Sequence, residues 1–227
     1  MSITSRLQNR YTRPGPGAHE PVPKSGSKRY WFLVKTHFFR LCGINALFAL
    51  FCIPIITIPA SLSGMTNVLM KLTREGNCFI WKDFWKEFKT DFIERVCIWF
   101  GLQLLPLIGW YIPSLLGNET ASIWISTILG SFIFILECYW FPLITTISLS
   151  PLKCLRNAFL LIFLELKRDV LFLLLGAAGF FICRLLFPFS LPFLLLMLFS
   201  FTQLAVCVTV NDPMQKRIID PYSKETA

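Results

Sequence analysis

The chain has 227 residues, 55% of them hydrophobic and only 15% charged, with a mean hydropathy of +0.60. A soluble domain carries nearer a quarter charged residues, so this composition excludes an ordinary soluble fold and points to an integral membrane protein. The formal net charge of +9 would suit a nucleic-acid binder, but in a membrane chain Lys and Arg gather first in cytoplasmic loops, and no nucleic acid is expected.

Residues 1–29 hold no apolar run and are rich in Pro, Gly, Ser and basic residues, which predicts a disordered cytoplasmic tail rather than a signal peptide. The transmembrane region is expected over 30–211. Its first apolar stretch, 38–70, is too long for one span of about 20 residues and is broken at Pro54 and Pro59. Two spans are therefore predicted, 38–56 and 60–76, with Ala60 and Gly64 forming a small face for close helix packing. Eight Lys or Arg precede residue 41, and six more lie in 71–95. A hairpin places both basic segments on the cytoplasmic side.

Two further apolar runs, 96–116 and 122–149, flank the short break at Gly117–Ala121, with Trp110, Tyr111 and Trp124 beside it as interface anchors. They predict a second hairpin with its tip outside. The Asn118-Glu119-Thr120 triplet matches a glycosylation sequon, but a tip this short, hugging the bilayer, gives it no expected use. A basic segment at 150–169 is followed by a third pair of runs, 170–187 and 190–210, and by a polar cytoplasmic tail at 212–227. In this arrangement Arg184 alone of the 22 Lys and Arg lies near the outer face. The expected fold class is thus all-α integral membrane, six transmembrane helices in three hairpins, in the plasma membrane with both termini cytoplasmic.

The inner connections read as amphipathic helices lying in the interface plane of the bilayer. In the first, Trp81, Phe84, Trp85, Phe88 and Phe92 recur at helical spacing opposite a charged face. The second opens on Ser150-Pro151, a cap and first-turn pair, and carries the stripe Leu152, Leu155, Phe159, Ile162, Phe163 and Leu166.

The stretch from Arg40 to Leu72 together with Asp83 to Phe92 resembles the YesL-like family of bacterial membrane proteins, a family of unknown function. The resemblance rests on Asn45 in the first span, the Pro54 to Thr57 step, the Ala-rich start of the second span and the Asp83-Phe84-Trp85 motif running to Phe88. It is specific over about 41–92 and compatible to about 210. Pro59 stands where the family usually has Gly. The resemblance implies a multi-span protein whose genes often accompany carbohydrate uptake and degradation systems, and hence a sugar uptake system or a membrane sensor as partner. It brings no catalytic residues.

Chemistry in the sequence is sparse. The eight Cys stand singly, and His19 and His37 are far apart, so neither a metal nor another cofactor is expected. No phosphate loop, nucleophile elbow or zinc-protease motif occurs, which leaves an enzyme unsupported. What remains is Asn45, Gln103, Glu137 and Gln203 within spans, each about 12 to 17 Å from the inner face at 1.5 Å per residue, a depth that predicts one polar layer in the inner half of the bilayer. Three functions follow as expectations: an accessory or regulatory membrane protein, a small transporter built on the intramembrane carboxyl, or, without support, a membrane enzyme.

Overall fold

The computed structural model describes residues 26–147, 149–185 and 199–219. Its elements are α1 (Gly26–Phe51), a 3-10 turn (Ile55–Thr57), α2 (Ile58–Glu75), α3 (Ile80–Lys89), α4 (Phe92–Leu115), α5 (Glu119–Thr146), α6 (Pro151–Leu164), α7 (Leu166–Leu185), α8 (Phe199–Met214) and a π-helical turn (Gln215–Ile219). No strand occurs among the described residues. Among the described residues, four segments are long and apolar enough to cross a membrane: α1, the 3-10 turn together with α2, α4 and α5.

The first helix starts at Gly26, well before the expected first span, so Gly26–Arg29 are helical and not part of a disordered tail. Two observations explain the extension: Leu33 and Val34 are buried in the core, and the Arg29 guanidinium bonds the Thr73 carbonyl. His37 has non-helical φ/ψ and marks a kink where this amphipathic entry joins the apolar part. Residues 1–25 lie outside the described residues. At the other end, residues 212–219 of the polar tail are helical, with Pro213 and Met214 buried and Arg217 paired with Glu165 at 2.7 Å. Of the last expected span, 190–198 falls outside the described residues.

Between α1 and α2 the chain turns at Pro54. Thr57 and Ser61 hydroxyls both donate to the Phe51 carbonyl, satisfying an acceptor that the helix end leaves open. The bond from Arg29 near the start of α1 to Thr73 near the end of α2 makes the two helices antiparallel.

α2 is the centre of the molecule and packs on α1, α3, α5 and α8. Its sequence explains the place. Ala60, Ser61, Ser63, Gly64, Thr66, Asn67 and Thr73 are all buried, and small side chains let neighbouring backbones approach closely. The hydroxyls of Ser63, Thr66 and Thr73 bond the carbonyls four residues back, so they enter the core with their polarity satisfied. Around α2 lie Leu41, Ile44 and Phe48 of α1, Tyr139, Trp140 and Phe141 of α5, and Cys207 and Val210 of α8.

α4 and α5 run together along a close contact at Gly109, where a Cβ would come within 2.8 Å of Leu129. Most of their outward surface is bare; Leu107, Trp110, Tyr111, Trp124 and Ile128 are all exposed. Asn118, from the sequon-like triplet, caps α5 by accepting the Ala121 N–H at 3.1 Å.

Candidate functional site

The in-span polar residues sort into two groups. In the first, α1, α2 and α8 meet. The Ser200 N–H donates to Asn45 Oδ1 at 2.8 Å, and Gln203 Nε2 donates to the Thr66 hydroxyl at 2.8 Å. Asn45 is completely buried, and its side-chain carbonyl accepts the backbone N–H of Ser200 in α8. The second group is on α4 and α5, where Gln103 Nε2 donates to Glu137 Oε1 at 2.6 Å. One turn before Gln103, on the same face of α4, the buried Trp99 indole N–H is turned toward the same Glu137 carboxyl. The depth argument placed four residues in one layer; side-chain pairing divides them between two helix contacts. Thr66 and Ser200, which complete the first group, carried no sequence signal, since Ser and Thr in a span are ordinarily bonded to their own helix.

A third polar assembly joins α2 to α3 and explains the Asp83-Phe84-Trp85 motif. Gly64, Asn67 and Lys71 fall on one face of α2 at helical spacing. Gly64 receives the Phe84 ring: a Cβ there would lie 3.0 Å from two ring atoms and 3.1 Å from the Phe84 carbonyl. Asn67 Nδ2 donates to the Asp83 carbonyl at 2.9 Å, and Lys71 Nζ reaches Asp83 Oδ1 at 2.6 Å. The other Asp83 oxygen accepts the Phe79 N–H at 2.9 Å, so the carboxylate also holds the start of its own helix. Burial alone would raise the Asp83 carboxyl, but the Lys71 ammonium and the Phe79 N–H hold it below its ordinary value.

This lock corrects one expectation about the surface helix. Phe84, expected to lie on a lipid-facing stripe, is 1% exposed and packs on α2, so that the helix packed closely on the small face at Gly64 is α3. Trp85 and Phe88 stack on each other and both meet the Phe51 ring at a tilt, and Phe92 continues the row. Trp81 stays 62% exposed beside Phe79. A similar division holds for α6. Its buried face is the small one, Cys154, Ala158 and Leu161 with Ile162, while Leu152, Phe159 and Phe163 are exposed, Phe159 with its ring edge-on to Phe132 of α5. Trp140 Nε1 ties the start of α6 down by donating to the Pro151 carbonyl at 3.0 Å.

Residues 41–111 match the model of a family described as protein of unknown function, DUF624. No curated protein matches the chain, and no solved structure does. The matched segment contains the α2–α3 lock, Asn45 and Gln103; Glu137 and Gln203 lie beyond it. Among the described residues, no group of three or more His, Cys, Asp or Glu is placed to hold a metal ion.

Proposed function

We propose that this chain is a six-span plasma-membrane protein of the YesL-like kind, with both termini cytoplasmic, that acts as an accessory or regulatory component beside a partner such as a carbohydrate uptake system or a membrane sensor. The observation that carries this reading is the unequal covering of the helices. α2 is buried on all sides, whereas none of the most apolar stretch of α4 is buried within the chain. A central helix set for self-assembly and a bare α4–α5 pair suit a protein that offers one membrane face to another. The sugar connection comes from the family resemblance, and the match to a family of unknown function over 41–111 supports the resemblance without adding to it. Photo-crosslinking residues placed at Leu107 and Tyr111, both exposed, are expected to capture one membrane protein in native membranes. Adducts to lipid alone would overturn the reading.

A small transporter is the second reading, favoured by the Gln103–Glu137 pair, because a carboxyl within a span is costly and commonly tied to function. Glu137→Gln keeps the shape and a hydrogen bond to Gln103. If the pair is structural, the variant folds and retains full cellular activity, since even a weakened in-membrane hydrogen bond changes stability by about 1 kcal/mol or less. A variant that inserts and folds but loses substrate-dependent uptake in liposomes would favour transport instead.

A further inference from the structure

Between α6 and the α4–α5 pair runs a groove of about 570 Å³, a volume in the range of small-ligand sites. Leu102 of α4, Phe132 and Leu136 of α5, and Leu155 and Phe159 of α6 make its wall largely apolar. The rings of Phe132 and Phe159, one from each side, meet edge-on with centroids 6.0 Å apart. Among its described lining residues only Lys153 and Arg156 are charged. They are also the only charged residues of α6, and at i and i+3 their side chains leave the helix next to one another. Both are exposed. The ion pairs of the described residues are made by Lys71, Arg95, Arg168 and Arg217, so Lys153 and Arg156 carry uncompensated charge.

The charged and apolar parts of the groove lie at different depths. α6 starts beside Trp140, whose indole holds the Pro151 carbonyl, and Leu136 and Phe132 lie one and two turns farther from the Thr146 end of α5. The cations therefore stand nearer the end of α5, and the apolar wall continues toward the middle of the span. Long basic side chains keep their stems on apolar surface and their charged heads in the headgroup layer. This order is that of a phospholipid, headgroup first and acyl chain beyond. Charge then selects among lipids: a lone phosphodiester is attracted by both cations, whereas the ammonium of a zwitterionic headgroup would meet no carboxylate in the groove and would face Lys153 and Arg156. A soluble anion would leave the apolar wall uncovered.

We propose that this groove holds one anionic phospholipid of the phosphatidylglycerol type, its phosphodiester between Lys153 and Arg156 and an acyl chain along Leu102, Leu136 and Phe132. The assignment rests on α4 and α5 crossing a membrane and not on the accessory role, so occupancy of the groove and capture of a partner at Leu107 or Tyr111 are independent results.

Native mass spectrometry of the full chain, released from detergent after mixing with phosphatidylglycerol or phosphatidylcholine of identical acyl chains, reads the lipid retained. One phosphatidylglycerol is expected to be held at about ten-fold lower lipid concentration than phosphatidylcholine, the difference that a hydrogen bond to a charged group makes. Lys153→Gln combined with Arg156→Gln, at exposed positions, is expected to abolish that preference with an unchanged melting midpoint. Lys82→Gln combined with Lys86→Gln, which removes the same charge from exposed positions of α3, is expected to keep it. Glycerophosphoglycerol, the same headgroup without acyl chains, is expected not to displace the bound lipid at equal concentration. Equal retention of the two lipids, a preference that survives the Lys153/Arg156 change, or loss of preference in both double variants would overturn the proposal. So would displacement by glycerophosphoglycerol, in favour of a soluble phosphodiester.

Discussion

The Asp83-Phe84 pair concentrates most of what holds α3 in place, and its two residues act through different physics. Phe84 fills the notch above Gly64, so Phe84→Ala leaves a cavity that two backbones cannot close; a loss of about 3 kcal/mol is expected, read as earlier reaction of buried Cys138 and Cys207 with a thiol-reactive fluorophore on heating in detergent. Asp83 acts through charge. Its carboxyl sits below the ordinary value in the folded chain, so its contribution is complete above the unfolded value, near pH 4, and is lost as pH falls through the lower folded value. A melting midpoint that drops in acid for the parent, and drops less for Asp83→Asn, is the expected result; equal pH profiles would count against the Lys71–Asp83 contact. In the sequence, the aromatic spacing around Phe84 was legible, but its target was not. Gly64 lies twenty residues away and reads equally well as a contact for another span, and a helical period says which residues share a face without saying what that face meets. Arg95 was hidden for a related reason: within a basic segment it counts as a loop charge, and only folding places Glu87 against it.

At the scale of elements, the short amphipathic helices divide their apolar residues between protein and surroundings. α3 turns Phe84 inward and leaves Trp81 and Phe79 exposed beside Lys82, and Lys89 lies over the Trp85 ring at 4.8 Å. α6 turns Cys154 and Ala158 inward and leaves Phe159 and Phe163 outside. Exposed aromatics next to lysines suit the headgroup layer, where rings embed and ammonium groups meet anionic lipid. With the full chain in vesicles of brominated lipid, the Trp81→Ala variant is expected to show a smaller quenchable fraction of fluorescence than the parent. Trp140, which is fully buried, supplies the unquenched remainder. An unchanged quenchable fraction would mean that Trp81 faces a partner protein. Where elements begin and end followed the sequence closely at α2, α4 and α5, where apolar runs meet Pro, Gly or charge abruptly. It departed from the sequence at α1, because Lys28, Arg29 and Lys35 alternate with Leu33 and Val34, and a run count records the charges while folding buries the apolar residues between them.

For the molecule as a whole, the distribution of Lys and Arg and the burial of the helices bear on the same question of orientation. The last turn of α2 carries Arg74, α3 carries Lys82, Lys86 and Lys89, and the α5–α6 connection leads into Lys153 and Arg156. In the folded chain these segments come together, since a depression beside Arg95 takes one wall from the α3–α4 corner and the other from residues 144–147 and 149–151. They therefore share one end of the bundle. The α4–α5 tip, from Leu116 to Glu119, is separated from that end by the full length of α4, 24 residues, or about 36 Å at 1.5 Å per residue, enough to cross the hydrocarbon core. Glu119 and Asn118 are its polar groups, and it carries no Lys or Arg. Positive charge concentrated at one end and absent from the α4–α5 tip supports the proposed orientation, because Lys and Arg in short loops are retained on the cytoplasmic side. Reporter fusions joined after Glu75 and after Asn118 are accordingly expected to report opposite sides, with Glu75 cytoplasmic. Moving the charge should move the chain: three Lys inserted at the tip, with Lys82, Lys86 and Lys89 changed to Gln, are expected to produce a mixed population in the same assay. Identical sidedness at both fusion points in the parent would exclude α4 as a membrane-crossing helix, and with it the assignment of the bare α4–α5 surface to the membrane.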